Sequence, residues 1–203
     1  MFNEAILRNT LKAIKDHPDL SSDIIDSFSD NQFNSKKKIL DYIEKFLQKD
    51  FEIAILGCWY GSILIPRLAP YVKKIIAIDL NDTVVRIGKN KLFKHYNNIT
   101  WSTGDIFKKE LDYSSVNLVI NTSCEHMRPM KEWPYWPAET YFALTSNNMN
   151  YISGHINCVD SLDEFKNQLP NNAQVLFEDQ IEDERGTRFL LIGKISVNHT
   201  HFV

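Results

Sequence analysis

Ile53-Ala54-Ile55-Leu56 is an uninterrupted apolar run that stops at Gly57, and a second glycine follows at position 61 after Cys58-Trp59-Tyr60. A run this short and this apolar reads as a strand buried on both faces, the situation of a strand in a mostly parallel sheet covered by helices. The glycines let the chain reverse sharply and bring its backbone close to another group. A second apolar run, Ile75-Ile76-Ala77-Ile78, ends on Asp79. A strand, a glycine turn, a helix and a second strand closed by an acid make a frame suited to a nucleoside: the turn approaches the ligand and the carboxylate accepts from both ribose hydroxyls.

Further apolar runs at Ile99–Ser102 and Val116–Ile120, and a weaker one near Met149–Ile152, continue the alternation and extend the parallel sheet. Val175–Phe177 and Arg188–Ile195 are joined by the acidic stretch Glu178–Gly186, which leaves no room for a crossover helix, so these two runs form an antiparallel hairpin. The first fifty residues carry helical periodicity instead. Leu7, Leu11 and Ile14 make one stripe, and Ile39, Leu40, Ile43, Phe46 and Leu47 another, with Pro18 between. The expectation is one domain over 1–203, with a helical N-terminal cover over 1–50 and a ligand-binding core over 51–203.

Composition removes several functions. The formal net charge is −3, and the one dense basic run, Lys36-Lys37-Lys38, reads as the solvated face of a helix, so nucleic acid is a disfavoured partner. No apolar run approaches the ~20 residues that span a bilayer, and no membrane insertion is expected. Three cysteines without regular spacing, behind an N-terminus lacking a basic-then-apolar leader, fit a cytoplasmic protein with reduced thiols. The Gly57–Ser62 stretch has neither a Gly-x-Ser-x-Gly elbow nor a phosphate-cradling Lys.

Taken in order, the Gly57–Gly61 turn, Asp79, Gly104-Asp105-Ile106 after the third strand, the polar loop after the fourth and the closing hairpin resemble the class I S-adenosylmethionine-dependent methyltransferases over roughly residues 50–195. The resemblance implies an α/β, Rossmann-like three-layer sandwich. Its sheet is mostly parallel and seven-stranded, with a C-terminal antiparallel hairpin. It also implies S-adenosyl-L-methionine as cofactor, held by Gly57, Cys58, Trp59, Gly61, Asp79, Leu80, Gly104, Asp105, Ile106 and Asn121. Trp59 stands where the family commonly has a glycine. A nicotinamide cofactor fits less well, because its fuller glycine pattern would place a close-packing glycine where Leu64 stands.

Asn121-Thr122-Ser123-Cys124-Glu125-His126-Met127 follows the fourth strand, at the end where ligands of open α/β sheets sit. His126 is the candidate acid/base, with Glu125 orienting it or binding a substrate ammonium group; a capping role for both is the competing assignment. Trp133, Tyr135, Trp136 and Tyr141 lie among Pro129, Pro134 and Pro137, which prevent a regular helix and suggest an ordered loop or lid with Trp136 as its candidate substrate contact. Asn147, Asn148 and His155 complete the candidate acceptor pocket. A zinc site from Cys124, His126, His155 and Cys158 has the right ligand types. On a strand, however, His155 and Cys158 would face opposite ways, and no metal is expected. The loop also lacks the Asn/Asp-Pro-Pro-aromatic signature of the amino-methylating nucleic-acid enzymes. The expected function is therefore methyl transfer to a small-molecule acceptor. Aminocarboxypropyl transfer, lyase chemistry on the same cofactor and adenosyl-ligand binding without turnover are the alternatives, and oligomeric state is left open.

Overall fold

The computed structural model describes residues 4–108 and 111–197. The chain divides into two compact units, Met1–Lys108 and Lys109–Val203. No helix among the described residues is long and apolar enough to cross a membrane.

The first unit opens with helices α1 (Glu4–Asp16), α2 (Ser21–Asp26) and α3 (Asp30–Ile43). Ser29 caps α3 by accepting the Gln32 amide, and Ile39, Leu40 and Ile43 bury its inner face as the periodicity predicts. The face of α1 differs from the expected stripe: Ile6 and Ala13 are buried, while Leu7 and Leu11 are exposed. Leu7 instead lines a cleft with Ile25, Phe28, Phe33 and Ile63. Parallel strands β1 (Glu52–Leu56), β2 (Lys74–Asp79) and β3 (Ile99–Thr103) follow, connected by α4 (Leu64–Leu68) and α5 (Asp82–Ile87). All five β1 residues are buried, which is why its sequence has no polar alternation.

The second unit holds β4 (Val116–Asn121), β5 (Tyr141–Asn147), α6 (Leu162–Lys166), β6 (Ala173–Asp183) and β7 (Gly186–Ile195). β5 lies earlier than expected. Phe142, Ala143 and Leu144 supply its buried run, whereas Met149–Ile152 is a turn whose Met149 amide is held by the Asn147 side chain. β6 is longer than expected, and the hairpin closes through Glu184 and Arg185 alone, with Asp183 paired to Gly186. The seven strands lie in the order β3-β2-β1-β4-β5-β7-β6, with β7 antiparallel to β5 and β6. The mostly parallel sheet with a terminal antiparallel hairpin is the architecture read from the sequence.

Candidate functional site

In the first unit, β1 delivers the chain into Gly57, Trp59 and Gly61, at φ 63°, 49° and 71°. These left-handed residues coil the loop so that the Cys58 amide donates to the Ile78 carbonyl at 2.9 Å and the Gly61 amide to the Cys58 carbonyl at 2.8 Å. Such backbone is free for glycine and costs a larger residue about 1–2 kcal/mol. Trp59 is held there from two directions. Its amide donates to Asp79 Oδ2 at 2.8 Å, and its indole Nε1 donates to Asp23 Oδ2 at 3.3 Å. The Tyr60 hydroxyl donates to the same Asp23 oxygen at 2.8 Å, and burial, then Asp23, holds that phenol protonated. Trp59 thus makes the turn a glycine would make, with side-chain bonds offsetting the strain.

Asp79 is turned toward this loop. Its other oxygen, Oδ1, accepts the Asn81 amide at 3.0 Å, so each oxygen takes one main-chain donor and keeps a further acceptor site, the requirement for gripping a vicinal diol. Cys58 is buried beside it, and burial together with the Asp79 charge raises its thiol well above the ordinary range. Leu80 projects into solvent with 74% of its surface exposed; Ile106 is buried. The Gly104 amide donates to the Asp79 carbonyl at 2.9 Å, holding the ends of β2 and β3 together. Asp105 uses one oxygen to accept the Phe107 amide at 2.9 Å and has the other 3.6 Å from Lys108 Nζ.

In the second unit, Asn121 ends β4 with no exposed surface; its amide donates to the sulfurs of Met127 and Met130 at 3.0 and 3.2 Å, and its oxygen accepts the Ser123 amide. Those bonds shape the loop that turns through Cys124–His126. Glu125 is buried and His126 exposed. The Glu125 carbonyl accepts the Ile156 and Asn157 amides at 2.9 and 3.0 Å, which draws the segment around His155 onto this loop. As a result Glu125, His126 and His155 each place a ligand-type atom within 4.8 Å of the others, and the two imidazole rings meet edge to face at 4.5 Å. The segment 154–158 is not a strand, so the expectation that His155 and Cys158 point apart is overturned. His155 Nδ1 lies 3.6 Å from Cys158 Sγ.

Asn147 closes β5 fully buried. Its oxygen accepts the Met149 amide, and its Nδ2 has no hydrogen-bond partner among the described residues. A buried donor held this way suits an acceptor contact. Asn148 instead bonds Thr187 through both backbone and side chain, tying β5 to the start of β7. Trp136 donates its indole N–H to the Met130 carbonyl at 2.8 Å and meets Trp133 and Phe142 edge to face, so in this structure it is part of a packed aromatic cluster.

No protein-family profile and no curated protein matches the chain. Solved structures do. The N-methyltransferase NodS from Bradyrhizobium japonicum superposes with a TM-score of 0.65 at 14% identity, covering 82% of this chain and 98% of NodS. Magnesium protoporphyrin IX methyltransferase ChlM from Synechocystis, with bound S-adenosylhomocysteine, gives 0.65 at 12% identity over 81% of this chain and 83% of ChlM. TrmK from M. capricolum, in complex with the same cofactor product, gives 0.56 at 14% identity over 77% and 67%. The chain has the class I methyltransferase fold.

Within that fold, sequence reasoning missed Asp23, which holds the Trp59 and Tyr60 side chains from α2. An acid in a surface-type helix carries no local signal of such a role. It also missed the paired amides of Asn157 and Gln168, which exchange bonds of 2.8 and 2.9 Å beneath the Glu125 loop. Burial, followed by the neighbouring His126, lowers the His155 pKa from 6.5. The unfolded chain then binds more protons than the folded one as pH falls below about 6.5, so this residue's contribution to stability is present above that pH and lost through the acid range. Melting temperature should fall from pH 7 to pH 5, and less steeply in His155→Gln; identical slopes would show that His155 does not govern this range.

Proposed function

We propose that this protein is a class I S-adenosyl-L-methionine-dependent methyltransferase acting on a small-molecule acceptor. The observation that carries the reading is Asp79, whose carboxylate is turned onto the glycine loop at the ends of β1 and β2 and retains acceptor capacity on both oxygens. Ribose would bind there, with the adenine against exposed Leu80, and the left-handed loop at 57–61 would approach the methionine portion. The likeness to ChlM, named for the acceptor magnesium protoporphyrin IX, together with a net charge of −3, favours a small acceptor over a nucleic acid.

Methyl transfer needs little covalent help. The sulfonium already carries a good leaving group, so the protein's work is to align the acceptor with the carbon–sulfur bond and to manage the acceptor's proton. Glu125, His126 and Asn147 supply those functions in this reading.

Calorimetry should show S-adenosylhomocysteine binding with no comparable affinity for NAD. An acceptor panel should yield S-adenosylhomocysteine; methylthioadenosine in its place would establish cleavage of the aminocarboxypropyl arm, by transfer if the acceptor gains that arm and by a lyase if it does not, and binding with no product across the panel would leave a ligand-binding module. His126→Ala should lower turnover roughly a hundredfold or more while cofactor affinity holds. Normal turnover in that variant would remove His126 from the chemistry.

A further inference from the structure

We infer that Glu125, His126 and His155 form a site for a divalent first-row transition-metal ion of the zinc type. The three side chains each present a ligand-type atom, and these atoms lie within 4.8 Å of one another. On a shared ion with bonds of about 2.0–2.2 Å the ligands would stand about 3.4 Å apart, so binding asks for a contraction of roughly an ångström, within the range of side-chain rotation.

The surrounding bonds prepare that contraction. Glu125 and His126 are neighbours in one short turn, and His155 belongs to the segment that the Glu125 carbonyl grips through Ile156 and Asn157. Asn157 Nδ2 also donates to the Cys124 carbonyl at 3.3 Å. Thus two distant pieces of sequence are tied together beside the three ligands. His126 Nδ1 lies 3.1 Å from the Gly154 carbonyl. A carbonyl can only accept, so Nδ1 carries the proton and Nε2 is left with the lone pair that binds a metal. A backbone carbonyl that orients the far nitrogen in this way is the usual support of a ligating imidazole. Gly154 sits at φ +86°, with a hypothetical Cβ 3.7 Å from His126 Nδ1. A side chain there would be strained in its backbone, so glycine keeps this carbonyl at hydrogen-bonding distance from the ring.

The donor set names the ion class. Two imidazoles and one carboxylate suit zinc and its first-row neighbours, whereas magnesium and calcium prefer oxygen alone. Three protein ligands leave a coordination position open, the arrangement of catalytic rather than structural sites. On the methyltransferase reading, that position would take an oxygen or nitrogen of the acceptor and lower its pKa, so that His126 would act as a ligand in place of a free base. Metal binding itself does not depend on that reading.

The test uses the full chain, stripped with chelator and titrated with Zn²⁺ and with Co²⁺, whose visible absorption reports coordination directly. One ion per chain is expected, with no competition from a large excess of Mg²⁺. His126→Ala, His155→Ala and Glu125→Gln should each weaken binding tenfold or more, while Cys158→Ser stays close to the parent. Thermal melting and S-adenosylhomocysteine titration on the same variants check their integrity, and the Co²⁺ spectrum of the unsubstituted chain decides the matter if a variant fails to fold. Substoichiometric uptake, or affinity unmoved by the three substitutions, overturns the site. Metal uptake without cofactor binding would sink the methyltransferase reading and leave the site standing; cofactor binding without metal uptake would do the reverse.

Discussion

Alanine at position 79 should weaken S-adenosylmethionine and S-adenosylhomocysteine binding by about 1.5–3 kcal/mol, roughly ten- to 150-fold, the loss associated with charge-assisted hydrogen bonds. The carboxylate serves two sets of donors. It accepts the Trp59 amide at 2.8 Å and the Asn81 amide at 3.0 Å, so its removal loosens the glycine loop as well as deleting the ribose acceptors. Asp79→Asn separates these effects. Its amide oxygen still accepts one main-chain donor, but the uncharged group forfeits the charge assistance and places an N–H where the second acceptor stood. Calorimetric titration of both variants, with circular dichroism to confirm the fold, is the measurement. Affinity equal to that of the parent chain in Asp79→Ala would remove this residue from the cofactor site and, with it, the observation on which the functional reading rests.

The second large effect is on stability. A Cβ at Gly193 would lie 2.2 Å from the Gln174 carbonyl oxygen and 2.4 Å from Phe142 Cζ, closer than any real methyl group comes. One of these neighbours is backbone in the β6–β7 ladder, and the other is a fully buried ring in β5. Neither can yield cheaply, so Gly193→Ala should cost about 3 kcal/mol or more. In a chain of this size that corresponds to a fall in melting temperature of about 6–12 °C. Gly154→Ala, where the nearest contact is 3.7 Å, serves as the comparison and should lose less, its cost coming from backbone strain alone. Equal losses in the two variants would contradict the crowding at Gly193.

How much of this was legible in the sequence follows from the kind of burial each segment has. β1 and β2 were readable because strands covered on both faces spell themselves as unbroken Ile, Ala and Leu, and the glycines and Asp79 at their ends follow from turn and hydrogen-bond chemistry. β5 lies before the expected run because Tyr141 reads as the tail of the proline-rich aromatic stretch, while the buried polar end Thr145-Ser146-Asn147 gives no apolar signal of a strand. β6 was read too short for the opposite reason: its residues alternate between half-buried and exposed, and Glu178, Asp179, Glu182 and Asp183 looked like a connection. The α1 face was misjudged because Leu is a stronger apolar signal than Ala, yet Ala13 is the residue that is buried. His126 and His155 share a ligand type that groups them in sequence with Cys124 and Cys158, but Glu125 as the third member of their cluster is not a local signal. Nothing in the spacing between positions 126 and 155 says that the Glu125 carbonyl will collect two amides from the second segment.

Among the described residues β6 ends the strand order, so its eleven residues form an edge of the sheet. Proteins usually blunt such an edge with lysine, proline or a covering element. Here the strand carries four carboxylates and no basic residue, with a single register irregularity between Val175 and Phe177. Lys166 and Arg188 lie 3.1 and 3.8 Å from Glu178 and Asp183, and the net negative charge left on the strand would oppose annealing of two copies until acid neutralises it. Light scattering should register growth of particles as the carboxylates are neutralised, before circular dichroism records any loss of secondary structure, and added salt should bring the onset to higher pH by screening the same charges.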